Sequence, residues 1–244
     1  MPLTKQQLYA YHELGWVVVK RVVDAATVRQ IKAEIADVHE RFAANPHAVP
    51  GAQVSWEANV PPGQPKRIMQ LMNSQLVSPT LNAVIRRPEV LDMVAQIIGP
   101  RIELFHSKLL MKAPHVPGFF PWHQDYGYWH FGEELPAQVN CALAIDPQTI
   151  ENGCLHYVPG SHKFGLLNHH KFEGDAFVWG LGKDFNQFNS VPVEYDPGDM
   201  CFFGSLVIHG SQPNRTNESG IFNTTAYCAP GSHRDKNARF EVLR

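Results

Sequence analysis

The sequence predicts an α+β chain, mainly β at its core, of the β-sandwich or jelly-roll kind. Three observations predict it. Apolar residues recur at helical spacing through much of the first hundred positions. Short apolar runs of strand length dominate from Ile102 onward, and the breaks between them carry turn chemistry. Residues 1–244 read as one domain, with 1–100 a mainly helical flank that includes a lid loop and 101–230 the β core.

Each element follows from local chemistry. Thr4 is placed to cap a first helix through Leu14, which Gly15 ends; Trp16-Val17-Val18-Val19 is then a β-branched run of strand type. Asp24 caps a second helix whose apolar positions Val28, Ile31, Ile35, Val38 and Phe42 step by three and four residues, a stripe that needs a sheet to cover. The segment from Asn45 to Gln64, rich in Pro and Gly, reads as a lid or binding loop. A further helix, Pro88 to Ile98, ends at Gly99-Pro100. Strands are predicted over 102–111, 138–145, 155–158, 191–195, 200–203, 206–209 and 221–228. Asn152-Gly153, Pro159-Gly160-Ser161 and Asp196-Pro197-Gly198-Asp199 supply the turns.

Composition narrows the class of function. With 44% hydrophobic and 18% charged residues in 244, the chain is ordinary globular material. Its net charge of −2, with Lys and Arg scattered, offers no basic stripe for nucleic acid and no basic amphipathic helix for a membrane surface. Cys141, Cys154, Cys201 and Cys228 show no CxxC spacing and read as reduced core residues. Neither an apolar signal region nor a membrane-length span is present, so the expectation is a soluble, cytoplasmic protein.

The chemistry concentrates in Trp122-His123-Gln124-Asp125 and, at a distance, Ile208-His209-Gly210-Ser211. On a strand His123 and Asp125 would share a face, and a neighbouring strand would bring His209 beside them. Two imidazoles and one carboxylate, with the opposite positions open, suit non-haem Fe(II) and dioxygen. Spacing alone leaves two readings open, a ligand pair or a satisfied strand pair. His233-Arg234-Asp235 fits the same H-x-D pattern but sits in a charged stretch behind Pro230-Gly231 and reads as solvated loop. The aromatic setting of His123, with Trp122, Tyr126, Tyr128 and Trp129 beside it, reads as a pocket wall and makes Trp122, Tyr126 and Trp129 the candidate substrate contacts.

With these residues in view the chain resembles the phytanoyl-CoA dioxygenase family of Fe(II)/2-oxoglutarate oxygenases. The matching motifs are Trp122-His123-Gln124-Asp125, Glu151-Asn152-Gly153-Cys154-Leu155, Val158-Pro159-Gly160-Ser161-His162, Asp196-Pro197-Gly198-Asp199 and His209-Gly210-Ser211, in order over most of the chain. The resemblance implies a double-stranded β-helix, a cupin-like jelly-roll barrel with flanking N-terminal helices. It implies iron held by His123, Asp125 and His209, with 2-oxoglutarate and O2 as cosubstrates. It further implies hydroxylation, or an oxidative desaturation or cyclisation, of a small molecule, with Asp125 filling the position that halogenating relatives leave empty. The Asn-Gly and Pro-Gly motifs themselves read as turns at the barrel ends.

One departure stands out. The family usually carries an arginine about eleven residues after the second histidine, a bidentate partner for the far carboxylate of 2-oxoglutarate. Here that stretch reads Ser219-Gly220-Ile221-Phe222. Lys108 and Arg215 are the first candidates to replace it and Arg67 another, with Asn140, Asn223 and Thr225 as neutral donors. Among the other histidines, His106 reads as a hydrogen-bonded core residue in phase with Lys108, His156 and His162 as surface or supporting groups, and His169-His170 as a solvated pair. Nothing forms a clamp for a coenzyme A thioester, so a small metabolite, for example in a biosynthetic route, is the expected substrate. Two alternatives are a metal-dependent jelly-roll enzyme that does not use 2-oxoglutarate and a non-catalytic binding module of the same fold.

Overall fold

The structure is a computed structural model; it describes residues 2–57, 60, 63, 66–115, 118–129, 137–172, 179–232 and 240–244. His233-Arg234-Asp235 lies outside the described residues, as do parts of the 45–64 loop. Helix α1 (Lys5–Leu14) opens the chain. It is closed by a capping box in which Thr4 and Gln7 satisfy each other's backbone N–H, and Gly15 ends it in the left-handed conformation at φ 98°. Strand β1 (Trp16–Val19) and helix α2 (Ala25–Glu34) follow, the latter capped by Asp24 on the N–H groups of Ala26 and Thr27.

The predicted long second helix is in fact two. A tight turn at 35–37, closed by the bonds Ala36 N–H to Ala33 O and Val38 N–H to Ile35 O, separates α2 from α3 (Val38–Ala44). The apolar stripe survives the break because Val28, Ile31, Ile35, Val38 and Phe42 are all buried. Inside and after the expected lid loop the chain forms two strands, β2 (Gln53–Trp56) and β3 (Ile68–Met72), which pair with each other. Helices α4 (Pro79–Val84) and α5 (Pro88–Ile98) lead to the long β4 (Glu103–Lys112). Short β5 (Phe120–His123) runs straight into a one-turn helix, α6 (Asp125–Trp129), so Asp125 stands at a helix start and not on a strand.

The remaining strands are β6 (Gln138–Ala144), β7 (Leu155–Tyr157), β8 (His170–Lys171), β9 (Trp179–Gly180), β10 (Val191–Pro192), β11 (Met200–Gly204), β12 (His209–Ser211), β13 (Gly220–Cys228) and β14 (Glu241–Val242). Relative to expectation, the run at 206–209 is mostly turn, and its strand begins only at His209.

Two antiparallel sheets face each other as a jelly roll. The larger runs β1-β11-β6-β13-β4-β3-β2, with β14 beside β4; the smaller runs β10-β7-β12-β5. Because side chains alternate, the large sheet feeds two apolar layers. One face, with Val17, Leu109, Met111, Val139, Leu143, Phe202, Ile221 and Tyr227, packs with the helical residues Ile31, Phe42, Leu81 and Val94. The other, with Trp16, Leu110, Ala142, Cys201, Phe203 and Phe222, packs with Phe120, Leu155 and Tyr157 of the small sheet. All four cysteines are buried and unbridged. Among the described residues no helix is long and apolar enough to cross a membrane.

Candidate metal centre

Antiparallel pairing of β12 with β5 sets His209 directly opposite His123, with ring centroids 4.1 Å apart. Between His209 and Ser211 on β12 the partner strand advances from His123 to Phe120, three steps against two. That bulge turns both Phe120 and His123 to the inner face, where strict alternation would have sent one of them outward. Asp125 enters from the first turn of α6. Its Oδ1 lies 3.8 Å from His123 Nε2 and its Oδ2 lies 3.8 Å from His209 Nε2. One donor atom from each residue falls within 4.8 Å of the others, and all three side chains are buried.

The hydrogen bonds behind these groups fix their protonation. His123 Nδ1 lies 2.7 Å from the Pro121 carbonyl and His209 Nδ1 lies 3.0 Å from that of Val207. Carbonyls only accept, so each Nδ1 carries the proton and each Nε2 presents its lone pair inward. Burial, reinforced by His209, brings the His123 pKa down to about 3, and burial lowers that of His209 too, so both rings are neutral. For Asp125 burial acts upward, but Lys108 and the facing imidazoles outweigh it and hold the carboxyl below the usual range. Lys108 Nζ lies 3.4 Å from Oδ1, and Asn140 Nδ2 donates to Oδ2 at 2.9 Å. Two neutral imidazoles and one ionised carboxylate, each steadied from behind, form the donor set that a divalent iron takes up without first losing protons.

Between the sheets these residues open on a narrow hollow walled by Leu110, Phe120, Leu155, Phe203, Phe222 and Thr224. A second, larger hollow shares Gln70, Lys108 and Asp125 with the first and is lined by Met69, Met72, His106, Tyr128, Trp129 and Trp179.

Several sequence candidates go elsewhere. Thr225 and Asn223 lie on the helix-facing side of β13, tied with Ser107 and Ser74 into a buried hydroxyl-amide cluster, so neither meets the cavity; Thr224 does. Arg215 is exposed on a surface loop, where its guanidinium donates to Gln212 Oε1 at 3.3 Å. Arg67 lines a hollow against α2 and α3 with Lys32 and His39. Trp122 points away from His123 as its strand neighbour must, its indole N–H on the Asp184 carbonyl and its ring against Phe185 and Phe188. Tyr126 is buried and belongs to neither hollow, whereas Trp129 and Tyr128 do line the larger one. His106 faces that hollow with its buried Nε2 unpartnered, contrary to the expected core hydrogen bond. His169 is no solvated loop residue: its Nε2 accepts from the Gln124 backbone N–H at 3.0 Å and its ring fills the space beside Gly127. Gln124 itself carries no signal in the sequence beyond its place between two ligands. Its amide donates to the carbonyls of Gly165 and Leu206 and accepts from Leu167 N–H, locking the base of α6.

Comparison with known proteins fits this geometry. The family model described as phytanoyl-CoA dioxygenase (PhyH) matches residues 11–220. A probable phytanoyl-CoA dioxygenase of Caenorhabditis elegans is 28% identical over 231 residues, covering 88% of this chain and 72% of that protein. The peroxisomal phytanoyl-CoA dioxygenase of Mus musculus is 30% identical over 223 residues, covering 88% of this chain and 65% of that protein. Among solved structures, EctD from S. alaskensis with 2-oxoglutarate and 5-hydroxyectoine superposes with a TM-score of 0.74 at 19% identity, over 95% of this chain and 78% of that one, a likeness of fold.

Proposed function

The chain belongs to the phytanoyl-CoA dioxygenase family of Fe(II)- and 2-oxoglutarate-dependent oxygenases, and from that premise we propose that it oxidises a C–H bond of a small apolar or ring-bearing metabolite at a centre held by His123, Asp125 and His209. The observation that carries the reading is the convergence of three donor atoms within 4.8 Å, already in ligand protonation states, at the junction of two hollows. When bound, the iron would activate dioxygen, the oxidant, with two of its electrons coming from 2-oxoglutarate as it is decarboxylated to succinate and carbon dioxide and two from the substrate C–H bond.

The chain's own residues do the rest. His123 and His209 are aimed by carbonyls behind them, and Lys108 and Asn140 keep Asp125 ionised and oriented. The smaller hollow, apolar apart from the triad, Gln70, Thr224 and Lys108, suits the short 2-oxo acid and keeps water off it. The larger, with Trp129, Tyr128 and Trp179 as flat walls and Met69 and Met72 as adaptable ones, is of the size that small-molecule ligands fill and suits the substrate. His106, its Nε2 unpartnered and its pKa brought down to about 3 chiefly by burial, offers a neutral hydrogen-bonding group to one polar atom of that substrate.

The test is succinate formation from 2-oxoglutarate with Fe(II) and air, screened against free small molecules and a coenzyme A thioester in parallel. Faster succinate release with a free small molecule supports the reading; release stimulated only by the thioester overturns its substrate half. A second reading, metal chemistry without 2-oxoglutarate, draws on Gly220 standing where the family has its arginine. It requires substrate turnover with no succinate formed.

A further inference from the structure

On the face of β4 that carries Lys108 and Leu110 into the smaller hollow stands a further group, two residues along, with no part in the chemistry proposed above, and a role for it rests on 2-oxoglutarate being the cosubstrate. Lys112 closes β4 as a buried residue, 5% exposed, with its ammonium above the Phe120 ring at 5.7 Å. Its hydrogen-bond acceptor is the Gln212 backbone carbonyl, and among the described residues no carboxylate lies within ion-pair distance of it. Burial brings its pKa down to about 7. Its electrostatic partner is the Glu57 carboxyl, which lies beyond ion-pair distance, so the buried ammonium has no direct counter-anion, a costly state.

Three further observations meet at the same point. Ser211 shares a face with His209, and its cross-strand partners Phe120 and Leu155 both wall the hollow; its buried Oγ has no hydrogen-bond partner. Two residues along a strand span roughly 6.6 Å, comparable to the reach from the chelating end of 2-oxoglutarate across its two methylenes to the far carboxylate oxygens. Gly220 is the register partner of Lys112, and a Cβ built on it would lie 3.4 Å from Asn152. Beside Asn152, a Cβ on Gly153 would come within 2.8 Å of the Lys112 ammonium and 2.2 Å of the Gln212 carbonyl, so glycine there leaves the amine its room. Lys112 thus stands directly across the strand pair from position 220, on the same face of the sheet. Of the two cations nearest His209 in sequence or space, Lys108 is held on Asp125 and Arg215 is on the surface.

We propose that Lys112, with the hydroxyl of Ser211, receives the far carboxylate of 2-oxoglutarate, replacing an arginine at position 220 by a lysine across the strand pair. The test measures dissociation constants anaerobically with Fe(II), from the visible absorption of the complex, for 2-oxoglutarate and for 2-oxobutyrate, which keeps the chelating end and lacks the far carboxylate. Lys112→Met is expected to weaken 2-oxoglutarate about 100-fold or more and to leave 2-oxobutyrate within about twofold, with Lys112→Arg recovering most of the loss. If Lys112→Met does not fold, Ser211→Ala serves instead, expected to cost 2-oxoglutarate about tenfold and 2-oxobutyrate nothing. Unchanged discrimination between the two acids in these variants would overturn the proposal. Wild-type protein that binds Fe(II) and neither acid would overturn the oxygenase reading with it, a result distinct from the first.

Discussion

Two side chains behind Asp125 decide how tightly it can be held. Asn140 gives it a 2.9 Å hydrogen bond and Lys108 a 3.4 Å ion pair, both inside the barrel. Outer partners of this kind typically tune metal affinity by 10- to 100-fold. Asn140→Ala is therefore expected to weaken Fe(II) or Co(II) binding by about tenfold with the fold intact, read by metal titration; affinity equal to wild type would mean the contact does not orient the carboxylate. Far from the centre, Asp199 accepts from Lys20 Nζ and the Arg21 N–H at 2.7 Å each and from the Asp196 N–H at 2.9 Å. Burial acts to raise its pKa, but Lys20 and these N–H groups prevail and lower it. A carboxyl whose folded pKa lies below its unfolded value of about 3.9 stabilises the fold above that pH, and the contribution is lost as pH falls through the folded pKa. Asp199→Asn is expected to cost about 1–3 kcal/mol at pH 7 in urea unfolding, with the gap closing below about pH 4. A gap that widens in acid would contradict the assignment.

At the level of elements, the turn 196–199 ties β11 to the start of α2. Gly198 sits at φ 90°, and a Cβ there would meet the Val23 carbonyl at 2.2 Å. Gly198→Ala is expected to destabilise by at least about 2 kcal/mol, from left-handed strain plus the clash; a midpoint of denaturation matching wild type would show that the turn relaxes freely. The same scale explains which site residues were legible. His123, Asp125 and His209 announced themselves because their chemistry is local and their aromatic and turn neighbours are distinctive. The choice between Thr224 and Thr225 did not, since all nine positions of β13 are buried and no polar alternation marks which face is which. Strand register settles it, and register is a property of β4 and β6 as much as of β13. Lys112 was missed for the same reason: its closeness to position 220 exists only through strand pairing, whereas Arg215 was near His209 in sequence and far from it in space. The strand β2 went unread because its pattern is half exposed and its pairing with β3 supplies the order.

At the scale of the whole molecule, the helical stripe and both sheets leave a region between the sheets where buried polar groups face open volume. One apolar layer seals the large sheet against the helices and another seals it against the small sheet, so the donors of the triad meet at the edge of the second layer beside open volume. That arrangement accounts for a fold that supports oxidation while keeping water from the reacting atoms. The measurement that tests this most directly is anaerobic addition of one equivalent of Fe(II) and excess 2-oxoglutarate, followed by visible absorption, in wild type and in His209→Ala. A charge-transfer band in wild type that is absent from the folded His209→Ala protein is the expected result. Iron binding with no band in wild type, or a band undiminished in His209→Ala, would contradict the account.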